Sequence, residues 1–283
     1  MHPVNYSIAA VNPVYMKTQR HRVSELEKWI TAASDRRLVY FIGTRRRIRL
    51  FRPSLPGRPI GVAISKSGRR PSRKRRLRLE ELDRVVRRSE REAYVSVAEN
   101  VLSVWSEGVV TNVHGPDLVD RLGLDLGNSL RISYVGETDS PIERPLNGNH
   151  AGLNRVLASP TSEGCDVFVY YGIFHVTIRN RNPGEINFHA SNSLVDLIKK
   201  REESRFIQNA FIKHFIDPLS QPNYSQEMAQ LRNSVKSFAT LYNVREMNFY
   251  LEVDAESDTY RFESDTIEPT RRIAFSLRDS DFS

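Results

Sequence analysis

The chain is poor in cysteine, in long apolar runs and, over its first third, in acidic residues. Cys165 is the single cysteine among 283 residues, which excludes an intramolecular disulfide framework and a thiolate zinc cluster and fits a reducing compartment. No apolar stretch approaches the roughly 18 residues that a membrane-spanning helix needs. The N-terminus, MHPVNYSIAAVNPVYMKTQR, has no continuous apolar core of signal-peptide type. We therefore expect a soluble protein with no membrane partner, located in the cytoplasm, or in the nucleus of a eukaryotic host. The phosphate loops GxGxxG and GxxxxGK[ST] are missing. So is a strand acid two residues before a lysine, as PD-(D/E)xK nucleases require. His150 lies near Asn147 and Asn149, but no second histidine stands at HNH spacing.

What is present is enough for a core. The chain is 39% apolar, with 11 Tyr, 13 Phe and 2 Trp, so it is not a disordered polymer. Its length allows one large domain or two ordinary ones. The net charge of +8 conceals an asymmetry: residues 1–100 carry 24 Lys and Arg against 9 Asp and Glu, and residues 101–283 carry 18 against 25. A basic front half points to a polyanion, most often nucleic acid.

Along the chain, residues 1–22 read as an irregular tail. Ser24 and Glu27 form a capping box for a helix over SELEKWITAAS. LVYFIGT reads as a buried strand, RRRIRLF as its hairpin partner and GRPIGVAIS as a third short run. Residues 67–78, SGRRPSRKRRLR, place like charges so densely around Pro71 that an exposed linker is expected. A helical pattern follows from Leu79 to Trp105. LRISYVG is strand-like, AGLNRVLA helical, and CDVFVYYGIFHVTI a strand or hairpin. A long helix over 192–216, capped by Asn192 or Ser193, is broken by DPLSQPNY and followed by a helix over SQEMAQLRNSVKSFATLY and three short strands.

One ordered set of residues carries chemistry. Tyr134-Val135-Gly136 ends a strand; Arg144 and His150 follow after a turn containing Thr138; then come the aromatic strand and the helix bearing Glu202 and Glu203, closed by Pro222-Asn223-Tyr224. At 100° per residue Glu203 shares a face with Phe206, Ile207 and Ala210, whereas Glu202 points to the polar side. A carboxylate in an apolar stripe needs a cationic partner, which favours Glu203 as a metal ligand.

These residues resemble the GIY-YIG nuclease family over about residues 106–225. The resemblance implies an α+β domain with a small antiparallel sheet flanked by helices, one Mg2+ or Mn2+ held by a helix glutamate, and phosphodiester hydrolysis. In that reading Arg144 stabilises the phosphate, Tyr134 positions water or phosphate, Glu203 binds the metal and His150 moves a proton. A guanidinium matches the charge developing on phosphoryl oxygens, and magnesium needs only one or two carboxylates. Counting back from the proline places the family's glutamate at Gln208, so Glu203 and Gln208 compete for that position. The upstream Gly-Ile-Tyr strand is not matched. Gly123-Leu124-Asp125 is the nearest register match, Val109-Val110-Thr111 another possible strand, and Tyr170 or Tyr171 a possible source of a phenol. YFIGTRRR at 40–47 carries an Ile-Gly but has no matching downstream helix, and is read as chance.

The expected organisation is a basic α+β module (1–66), a basic linker (67–78), a connecting helix (79–105) and a GIY-YIG-like domain (106–283). The backbone of DNA, or less readily RNA, would be gripped by Arg45, Arg46, Arg47, Arg69, Arg70, Arg73, Lys74, Arg75, Arg76 and Arg78 through counterion release. The alternative is a nucleic-acid-binding protein with a degenerate, non-catalytic GIY-YIG-like fold. No aromatic residue interrupts 67–78, which argues against base stacking there.

Overall fold

A computed structural model describes residues 4–10, 14–17, 37–51, 60–66, 69–77, 81, 94–98, 100–106, 109–138, 150–180, 189–190, 200–221, 223–242, 244–252 and 261–282. The class is α+β. Fifteen strands are numbered in chain order among these residues: β1 (Val4–Ala10), β2 (Val14–Lys17), β3 (Arg37–Arg46), β4 (Ile48–Phe51), β5 (Ile60–Lys66), β6 (Arg69–Leu77), β7 (Tyr94–Val97), β8 (Val101–Ser106), β9 (Val109–His114), β10 (Leu130–Glu137), β11 (Cys165–Asn180), β12 (His189–Ala190), β13 (Val244–Glu252), β14 (Phe262–Glu263) and β15 (Arg272–Leu277). The helices are α1 (Gly115–Arg121), α2 (Ala151–Ala158), α3 (Lys200–Phe215) and α4 (Tyr224–Tyr242).

The main sheet runs β14-β10-β3-β11-β1-β13-β15, with β2 and β12 also paired to β11. It is larger than the small antiparallel sheet expected, and it is mixed: β1 and β13 are parallel, as are β10 and β14. Strand β3 explains the run LVYFI. Val39 and Phe41 enter one core with Phe206, Ile207, Phe211, Leu231 and Val235 of α3 and α4. Tyr40 and Ile42 enter another with Leu153 and Val156 of α2. A strand covered on both faces has no solvent side and so shows no apolar–polar alternation.

Several expectations are corrected. Residues 4–10 and 14–17 are strands, not a tail: β1 pairs with β11 on one side and β13 on the other, and β2 pairs with β11. The segment before residue 66 is not a separate module, because β3 lies at the centre of the main sheet between β10 and β11. Nor do residues 106–283 complete a domain without it. RRRIRLF is not the hairpin partner of LVYFIGT; β4 pairs with β5 in a second sheet. The basic run is strand β6 instead of a linker. Alternating side chains on a strand point to opposite faces, which separates neighbouring charges, and β6 is an edge strand, where Lys, Arg and Pro are tolerated. The expected helix over 79–105 gives way to the antiparallel strands β7 and β8 at its end, whose β-branched valines bury one side of a pleat. The capping box at Ser24 and the helix caps at Asn192 and Ser193 lie outside the described residues.

The two three-stranded sheets β4-β5-β6 and β7-β8-β9 share a core with α1, built from Ile48, Leu50, Val62, Leu77, Leu102, Val104, Val113, Leu118 and Val119. This β unit stands in sequence between β3 and β10, two neighbours in the main sheet. The chain leaves the sheet after Arg46 and returns at Leu130.

Candidate functional site

Strand β10 holds Tyr134 through an irregularity. Ile132 pairs with Gly43 and Tyr134 with Ile42, so Ser133 is an extra residue on β10. Such a bulge changes which face the following side chains use. Ile132 lies in the core under α3, whereas Tyr134, two residues on, packs with Tyr40 and Ile42 on the α2 side. Antiparallel pairing then sets Gly136 across from Tyr40, and Tyr171 of β11 across from Tyr40 on its other side.

Three aromatic groups meet there. The Tyr40 and Tyr134 rings are 6.0 Å apart, and His150 stands edge-on to both, at 5.5 Å and 5.4 Å. Their approach needs bare backbone. A Cβ on Gly136 would lie 2.3 Å from the Tyr40 hydroxyl, and one on Gly152 would lie 2.7 Å from the Tyr134 ring.

His150 is the N-cap of α2. The Leu153 backbone N–H donates to its Nδ1 at 3.0 Å. Because that N–H can only donate, Nδ1 is the unprotonated nitrogen of the neutral ring. The ring proton therefore sits on Nε2, which lies 2.6 Å from Tyr40 Oη and donates to it. Tyr171 completes the wall, 6.2 Å from Tyr40. Burial holds its phenol well above the ordinary tyrosine range, so it stays protonated.

The other expected residues fall as follows. Glu203 is 2% exposed and shares its buried helix face with Phe206, Ile207 and Ala210, as the helical period indicates. Glu202 is exposed and Gln208 half-buried. Helix α3 packs against β10 and β3 on the face opposite the tyrosine cluster. Arg205 Nη2, in its second turn, comes within 3.9 Å of Oε1 of Glu137, the last residue of β10. Arg144 lies outside the described residues. Tyr170 and Tyr171 are both buried, on opposite faces of β11. No cluster of three or more His, Cys, Asp or Glu suited to a metal occurs among the described residues.

Of the basic residues, Arg45 is 2% exposed, with its guanidinium 4.6 Å from the Phe168 ring centre. It cannot reach a polyanion from there, which corrects its assignment to the nucleic-acid surface. Arg47 is half-buried and donates to Asp166 and to the Cys165 carbonyl, both at 3.3 Å. Arg46, Arg75 and Arg76 are exposed. Arg69, Arg70, Arg73 and Lys74 lie on β6, and Arg78 lies outside the described residues.

Tyr40 opens the segment YFIGTRRR, which reads in sequence as chance for want of a downstream helix; it lies on β3 between β10 and β11, and the inserted β unit separates it in sequence from Tyr134. Comparison with protein-family models, curated proteins and solved structures finds no match to this chain. Among the described residues no helix is long and apolar enough to cross a membrane.

Proposed function

We propose that the chain is a divergent GIY-YIG-like nuclease that hydrolyses phosphodiester bonds of DNA or RNA around Tyr40, Tyr134 and His150. The observation that carries this reading is the 2.6 Å contact between Tyr40 Oη and His150 Nε2 beside Tyr134. Tyr40 supplies, from the neighbouring antiparallel strand, the second phenol that the resemblance to the family calls for. Tyr40 Oη, hydrogen-bonded to His150 Nε2, is the group placed to take the proton of an attacking water, with Tyr134 beside it. Arg144, on the segment leading to His150, would bind the phosphoryl oxygens as charge builds on them. Water adds to phosphorus, the bond to the departing sugar oxygen breaks, and that oxygen gains a proton.

The resemblance to the family would place a hard cation at the start of α3. Glu203 would offer a carboxylate, and magnesium takes one or two of these beside phosphate oxygens. Mg2+ or Mn2+ held there would supply Lewis-acid chemistry only to a phosphate reaching the α3 side of the sheet, since the tyrosines lie on the other face.

The alternative is a nucleic-acid-binding protein that has lost catalysis. It is favoured by Gln208 at the position reached by counting back from the proline, and by the packing of α3 on the face away from the tyrosines. Incubating the full chain with Mg2+ or Mn2+ and labelled single- and double-stranded DNA and RNA decides between them. We expect strand cleavage that falls about 100-fold or more in Tyr40→Phe and in Glu203→Gln. Binding without cleavage, together with no saturable Mn2+ site in calorimetry, would establish the non-catalytic reading.

A further inference from the structure

Residues 45–78 contain 14 Lys and Arg and no Asp or Glu. In the fold this run turns back on itself as the antiparallel sheet β4-β5-β6. One face is apolar: Ile48, Leu50, Val62 and Leu77 are buried in the second core. The other face is of a different kind. On it Arg49 stands opposite Ala63, Phe51 opposite Gly61, Arg76 opposite Gly61 from the far side, and Lys74 opposite Ala63. Gly61, which has no side chain, is the central-strand residue paired with both Phe51 and Arg76. The central strand is there a shallow floor between two basic strands about 10 Å apart, twice the usual strand spacing.

An aromatic ring lies on that floor. Phe51 is 39% exposed. A Cβ on Gly61 would lie 3.2 Å from Phe51 Cβ and 3.7 Å from its Cδ2, so the ring rests against glycine backbone. Arg49 and Arg76 beside it are both exposed. Arg75 is engaged differently: its Nη2 donates to Glu81 at 3.0 Å. Read linearly, residues 67–78 lack an aromatic; the strand register brings one near them from β4.

We infer that this face of β4-β5-β6 binds single-stranded nucleic acid, with an unpaired base stacked on Phe51 and backbone phosphates held by Arg49 and Arg76. An exposed ring among cations matches a strand whose bases are free to stack on protein. A duplex keeps its bases stacked on one another and would use the charges alone. This inference rests on the nucleic-acid reading above and names the form of polymer and a surface separate from the tyrosine cluster.

The test is binding of the full chain, in EDTA, to a labelled oligo(dT) of about 12 nucleotides, a length within the range covered by a single binding surface. Fluorescence anisotropy is read at several salt concentrations. Phe51→Ala should weaken binding about 5- to 100-fold, and Phe51→Trp should retain it. Arg76→Gln should weaken binding and flatten the logarithmic salt slope by about 0.7, whereas Arg75→Gln should do neither. Circular dichroism and a thermal melt establish that each variant is folded. Unchanged affinity in Phe51→Ala, tighter binding of the matching duplex, or displacement of the oligonucleotide by poly-glutamate at lower concentration than by unlabelled oligo(dT) would each overturn the inference. Because binding is measured without metal, cleavage that persists in Phe51→Ala alongside unchanged affinity would sink this surface and leave the proposed nuclease standing. Loss of all nucleic-acid binding in the wild-type chain would sink both.

Discussion

Gly136 and Tyr40 face each other across β10 and β3, with the phenol ring where a side chain at 136 would begin. A methyl group there would sit 2.3 Å from both Cζ and the hydroxyl oxygen. We expect Gly136→Ala to lower stability by about 1–3 kcal/mol, the usual cost of overpacking, and to displace Tyr40. Adding Tyr40→Ala to Gly136→Ala should cost less than the two single changes together. Additive melting shifts would show that the contact is not responsible.

His150 carries two hydrogen bonds that substitution can separate. His150→Ala removes both, and loss of the N-cap should destabilise the protein by about 1 kcal/mol. Asparagine is a good N-cap but is too short to reach Tyr40. His150→Asn should therefore melt closer to wild type than His150→Ala while losing the cleavage activity as fully. Equal activity in His150→Asn and wild type would remove Nε2 from the mechanism.

Arg45 and Arg76 belong to the same basic run but should respond oppositely. Arg45 is buried over Phe168, so Arg45→Ala should lower the unfolding free energy by about 1–2 kcal/mol through lost packing and cation–π contact. Nucleic-acid affinity of the folded fraction should hardly change. Arg76→Ala should weaken binding and leave the melting temperature within a degree or two. A reversed pattern would contradict the exposure of these two side chains.

His214 sets a pH limit. Its ring stacks on Phe275 at 4.1 Å, and burial, aided by the charge of Lys213, pushes its pKa down from 6.5 to about 4. The folded chain thus disfavours protonation that the unfolded chain accepts. This contribution is fully present above pH 6.5 and is lost as the pH falls towards 4. Urea midpoints should drop across that window, and His214→Phe should flatten the drop. An equal decline in the variant would assign the acid sensitivity elsewhere.

Much of this arrangement could be read from particular residues in the sequence. The helical period placed Glu203 with Phe206, Ile207 and Ala210 on one apolar face, and CDVFVYYGIFHVTI was legible as a strand. LVYFIGT was legible as a buried strand, but its partner was not. Local pattern assigns it the nearest run, RRRIRLF, whereas the sheet joins it to β10 and β11 across the inserted β unit. The same distance hid Tyr40 from Tyr134, and no periodicity marks the bulge at Ser133 that turns Tyr134 towards it. The basic run misled for an electrostatic reason. Repulsion between adjacent like charges argues for a loop, but an edge strand relieves it by alternation while β5 supplies the backbone hydrogen bonds. Phe51 beside Arg76 depends on register alone.

Strand β1, formed by residues 4–10, is enclosed on one side by β11 and on the other by β13, which spans residues 244–252. These are pairings of high contact order, and loop closure must precede any gain from them. During synthesis β1 must wait for β13 to be made before that pairing can form. The inserted β unit draws its core from residues between 48 and 126, so it can condense while the main sheet is still incomplete. Refolding should accordingly be biphasic, with the second core formed first and the tyrosine cluster assembled late, when the sheet closes around the N-terminal strand.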